Sequence, residues 1–185
     1  MKSKRRIIYA LLVLSSITIA CSFLGIGKRA VEIELGEEIR IEKAGFAFQE
    51  IPGFEQMITG RNVSMIPPDM EVGLFTPGVF MYGGIVESES FTLEDLYLQT
   101  ADMMTSERSN RREITIDGAP GLAADLKSKP FTDGSTISGR MVVVLLPPNQ
   151  QFVMIGEAPT EQWKDELVYY FEAVQASVHF FEPEP

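Results

Sequence analysis

Few residues in this chain can do chemistry. Its 185 residues include one cysteine, Cys21, and one histidine, His179. It can therefore build neither an internal disulfide nor a metal site that needs two such ligands. His179 is the only imidazole base, and no Gly-x-Ser-x-Gly elbow or Ser-x-x-Lys pair offers a nucleophile. Its place at the end of the last predicted helix suits the terminal carbonyls or the surface. Gly25-Ile26-Gly27-Lys28-Arg29-Ala30 has the spacing of a dinucleotide loop. It lacks the preceding parallel strand and the following helix, so no cofactor is expected. Glu37 with Glu38, and Glu87 with Glu89, are dense enough for weak cation binding, but no Asp-x-Asp-x-Asp-Gly loop occurs. Two groups remain as places where a partner could dock. Arg108, Arg111 and Arg112 form a positive cluster suited to an acidic or phosphorylated partner. Phe75, Phe80 and Tyr82 lie in the irregular stretch Gly73–Tyr82, an apolar recognition surface if it faces solvent. The plainer expectations are a solvated loop beside a helix C-terminus and a buried central strand.

The N-terminus reads as a targeting segment. Lys2, Lys4, Arg5 and Arg6 precede an uncharged run from Ile7 to Ala20, the pattern of an export signal. The run ends at Thr18-Ile19-Ala20-Cys21, which resembles the lipobox of bacterial lipoproteins. That resemblance implies a signal peptide over 1–20, cleavage before Cys21 and a fatty-acylated Cys21 anchored to the cell membrane. The alternative is an uncleaved helix, since Ile7 to Gly27 is uncharged and long enough to span a bilayer. Both place the body outside the cytoplasm. Loss of residues 1–20 removes four of the 16 bases and none of the 26 acids, leaving 12 against 26 and a net charge of −14. So acidic a body is repelled by phosphates, which excludes nucleic acid as a natural partner and leaves membrane attachment to the anchor.

A tether over 22–30 leads into one domain over 31–181. Val31, Ile33 and Leu35, then Ile39 and Ile41, alternate with charges and predict half-buried strands. Gly45 to Pro52, Asn62 to Ile66 and a bent Val72 to Val86 follow as strands. Thr92, with Asp95 three residues on, predicts a capped helix fading near Glu107. Strands over 111–117, 121–128, 136–146 and 151–157, separated by Asp117-Gly118, Asp133-Gly134 and Pro147-Pro148, predict an antiparallel meander. Thr160 should cap a closing helix whose stripe of Trp163, Leu167, Tyr170, Phe171, Val174 and Val178 packs on the sheet. Residues 182–185 read as a frayed tail. The order of elements is that of an α+β protein with an antiparallel sheet flanked by helices.

Four segments carry a resemblance. Ala44-Gly45-Phe46-Ala47-Phe48 with Pro52 after it, the capped helix Thr92–Glu107, the hairpin Ile116-Asp117-Gly118-Ala119-Pro120-Gly121, and the aromatic helix ending in Val178-His179-Phe180 resemble features of the PsbP-like superfamily. Ala47 stands where that family favours Ser or Thr, and Phe54 where Trp is common. The resemblance implies an αβα sandwich, a role in binding or assembly, and no shared catalytic residues. The expected function is accordingly a non-catalytic binding or assembly module that holds a protein partner near the membrane. Its rivals are a receptor for a small apolar ligand, which needs an internal cavity, and a carboxylate hydrolase, which needs two facing acids with shifted titration.

Overall fold

A computed structural model describes residues 33–68, 76–88, 90–130 and 134–184. The leader, Cys21, the tether, Phe75, Glu89 and Asp133 lie outside the described residues. Seven strands form the main sheet: β3 (Glu55–Thr59), β4 (Asn62–Ile66), β5 (Gly78–Ile85), β6 (Glu107–Ile116), β7 (Ala119–Lys127), β8 (Ile137–Leu146) and β9 (Gln150–Pro159). Their spatial order is β3-β4-β5-β9-β8-β7-β6, and every neighbouring pair is antiparallel. The meander β6 to β9 is the one read from the sequence. Asp117 and Gly118 turn its first hairpin with φ of 48° and 77°, the paired positive angles that match the twist of flanking strands. A second, three-stranded sheet runs β1 (Glu38–Ile41), β2 (Phe46–Gln49) and β10 (His179–Phe180), with β2 in the middle.

Alternation along the strands sends side chains to two faces. Leu122, Ala124, Leu126, Met141, Val143 and Val153 meet Leu96, Tyr97 and Ala101 of the first helix, α1 (Leu93–Met103). On the other face Val142, Val144, Phe152 and Met154 meet the three-stranded sheet and the closing helix, α2. This helix opens at Thr160–Gln162, runs through a π-helical stretch at Trp163–Leu167 and continues as α-helix over Val168–Ser177. Trp163, Leu167, Phe171 and Val174 of the expected stripe are buried. Gly156 lets the helix approach: a Cβ there would collide with the Phe171 ring and lie 2.9 Å from the Trp163 indole.

Several local expectations are corrected. β3 was not foreseen. Residues 33–37 are not strand, although Gly36 N–H still donates to Glu50 O at 2.9 Å. α1 has the expected capping box between Thr92 and Asp95 but stops at Met103, because β6 starts at Glu107. Thr160 does not cap α2: Pro159 holds that position, and the Thr160 hydroxyl donates to Thr136 O at 2.9 Å. His179 lies in β10 opposite Ala47, with Nε2 3.7 Å from Glu38 Oε2, and caps no helix. The tail is not frayed at 182–184, since Phe181 N–H donates to Gly45 O and Glu184 N–H to Glu42 O. Gly45, at φ 73°, is crowded by that tail: a Cβ would stand 2.6 Å from Phe181 O.

Candidate functional site

Where β6, β7 and β8 pass beneath α2, ionic side chains converge on Asp125. Arg140 Nε donates to its Oδ1 at 3.1 Å, Arg112 Nη1 reaches the same oxygen at 3.3 Å, and Asn110 Nδ2 donates to Oδ2 at 3.0 Å. Arg140 also donates from Nη1 to Glu172 Oε1 of α2 at 2.8 Å. Burial works to raise the Asp125 carboxyl, but the Asn110 and Arg140 hydrogen bonds and the two guanidinium charges outweigh it and hold it below its ordinary value. Beside this hub a groove of ≈ 380 Å³ separates β6 from α2, lined by Arg112, Ile114, Asp117, Arg140, Glu172 and Gln175. Two cations and two anions face it. The groove is therefore of mixed charge rather than of one sign. Asp125 and Arg140 were missed in the sequence. The available signal was a charge at an inward position of an otherwise apolar strand.

The arginine cluster is divided. A bulge between Ser109 and Arg112 shifts the register of β6. Arg108 lies 3.9 Å from Asp102, and Arg111 pairs with Glu94 while its guanidinium sits 4.7 Å from the Tyr97 ring centre. These partners are on or beside α1, whereas Arg112 turns to Asp125 on the α2 side. The expected concentrated positive patch is thus corrected to three separately paired side chains on both faces of the sheet. Phe80 and Tyr82 lie on β5, between β4 and β9, and are half-buried. Burial pushes the Tyr82 hydroxyl up, and the neighbouring Thr100 hydroxyl opposes that shift. Thr100 Oγ1 is itself buried and makes no hydrogen bond of normal geometry among the described residues.

The remaining chemistry is dispersed. Burial raises the Glu157 carboxyl against a 3.2 Å hydrogen bond from Ser106. Glu157 shares a face with Val153 and Asp125 shares the opposite one with Ala123, so the two form no acid–base pair. Among the described residues no group of three or more His, Cys, Asp or Glu is placed to hold a metal ion. Among the same residues no helix is long and apolar enough to cross a membrane.

No protein-family model matches the sequence, and no curated protein matches it. Solved structures do. The chain is similar to cyanobacterial PsbP (CyanoP) from Synechocystis, at 14% identity and a TM-score of 0.55, over 84% of this chain and 99% of that one. It is similar to LpqN of Mycobacterium tuberculosis, described as involved in cell envelope biogenesis, at 7% identity and a TM-score of 0.58, over 82% and 88% of the two chains. A Bacteroides thetaiotaomicron protein matches at 11% identity and 0.53, over 80% of this chain and 50% of that one. At such identities the likeness speaks for architecture, and with the strand order above it gives the chain a PsbP-like α+β fold.

Proposed function

We propose that this chain is an extracytoplasmic assembly module, tied to the membrane through lipid on Cys21, that holds a protein partner beside the bilayer and catalyses nothing. The observation that carries this reading is the filled interior. Between the two sheets Phe46 meets Phe152 edge-on at 5.0 Å and Phe152 meets Phe180 at 5.3 Å, and on the buried face of α2 Trp163 meets Phe171 at 5.7 Å. A receptor for an apolar ligand would need that space. An accessory that works with its outside does not. The likeness to LpqN, a protein involved in cell envelope biogenesis, supports the same reading. The groove beside Arg112 is the surface best furnished for a polypeptide, because it presents donors and acceptors together.

Growth with a labelled fatty acid tests the anchor: the chain should take up label, and Cys21→Ala should lose it and remain unprocessed. Crosslinking in intact cells tests the partner: Arg112→Glu should remove the specific product. Recovery of unlabelled full-length chain from the cytosol would refute the proposal.

A further inference from the structure

We infer that two copies of this chain pair edge to edge along β3, antiparallel and centred on Met57. The two edges of the main sheet differ. β6 carries Glu107, Arg108, Arg111, Arg112 and Glu113, and its bulge places Asn110 at φ 50°. Charges and bulges close an edge to further strands. β3 reads Glu55-Gln56-Met57-Ile58-Thr59, with one charge and neither proline nor bulge. Met57 is 56% exposed and Ile58 49%. Adjacent residues point to opposite faces, so an added strand would cover apolar surface on both.

The hairpin sets the register. Thr59 pairs with Asn62 across Gly60 and Arg61, with Gly60 at φ 63°. Two-residue turns of this kind are closed by a hydrogen-bonded pair. Residues 55, 57 and 59 then direct their backbone groups to β4, and Gln56 and Ile58 direct theirs outward. In a second copy centred on Met57, Gln56 of one chain faces Ile58 of the other, twice, and each pair can exchange two N–H···O bonds. Met57 faces Met57 in the non-bonded position, with Cα atoms about 4.5 Å apart. Glu55 faces Thr59, so no like charges meet despite the acidic composition. A second copy thus sets the strand's one charge against a neutral hydroxyl at both ends of a two-fold contact, which a strand with an acid at that position would not. Five residues a side fall short of the roughly 1,200 Å² of a stable interface. The pair therefore depends on copies concentrated at a shared membrane, and in that respect rests on the anchor proposed above.

Met57→Cys in the full chain, oxidised mildly in intact cells, is the test, with the unsubstituted chain as blank. A disulfide-linked homodimer should exceed that from Glu113→Cys on β6 by about tenfold. Adding Ile58→Pro, which deletes an outward N–H, should abolish it. Adding Ile58→Lys, which leaves the backbone intact, should do the same. No dimer, an equal yield from Glu113→Cys, or a mixed disulfide with a different polypeptide overturns the pairing. Fatty-acyl label scored on the same sample judges the anchor separately.

Discussion

Thr100 sits on α1 with its hydroxyl sealed from water and no partner among the described residues. An unmet buried hydroxyl is a standing penalty that a methyl of the same shape removes. Thr100→Val is accordingly expected to stabilise the protein by about 1 kcal/mol, read as a rise in denaturant midpoint at constant slope. Asp125 is the opposite case. Asp125→Asn strips charge from the carboxylate that Arg112 and Arg140 share and should cost about 1–2 kcal/mol at neutral pH. Because the folded carboxyl lies below its ordinary value of 3.8, this contribution is complete above that value. It disappears as pH falls through the folded value. Melting curves of the two proteins should therefore converge in strong acid. Glu157, raised from 4.5 by burial, acts in the contrary sense: the folded state gains relative stability as pH falls towards 4.5.

The contact between α2 and the sheet depends on the absent side chain at Gly156. Gly156→Ala should push Trp163 and Phe171 off the sheet and cost about 1–3 kcal/mol, visible as loss of near-ultraviolet circular dichroism from the lone tryptophan. The meander, the capping box of α1 and the buried stripe of α2 were all readable, since period-two alternation, Asp-Gly and Thr-x-x-Asp are local statements about backbone. Thr160 was misread because its hydroxyl is claimed by Thr136, a partner 24 residues away. β3 was unreadable because Met57 and Ile58 are adjacent, exposed and unpatterned, and only β4 makes that segment a strand. The arginines look concentrated along the chain and are separated in space, Arg111 from Arg112 by strand alternation and Arg108 from Arg112 by one bulge. The hub at Asp125 joins residues of four separate elements, a grouping that no window of sequence contains.

Across the whole molecule the expected sandwich is present, with a small sheet that was not anticipated sharing the α2 side. Its last strand matters. Phe180 packs on Phe152, its N–H donates to Asp117 Oδ2 at 2.8 Å, and the tail beyond is fastened to Glu42 and Gly45. Deleting residues 179–185 should cost roughly 2–4 kcal/mol, measurable by chemical denaturation, where a frayed end would cost nothing. Buried Gln150 reinforces the same corner, donating from Nε2 to Gly45 O at 2.7 Å and to Ala44 O at 3.3 Å. β2 ends at Gln49, yet one of its two neighbours begins only at His179. A ribosome making this chain must therefore translate residues 50–178 before β2 can acquire its second neighbour. The small sheet cannot be completed early, and β2 keeps one open edge until His179 and Phe180 have emerged.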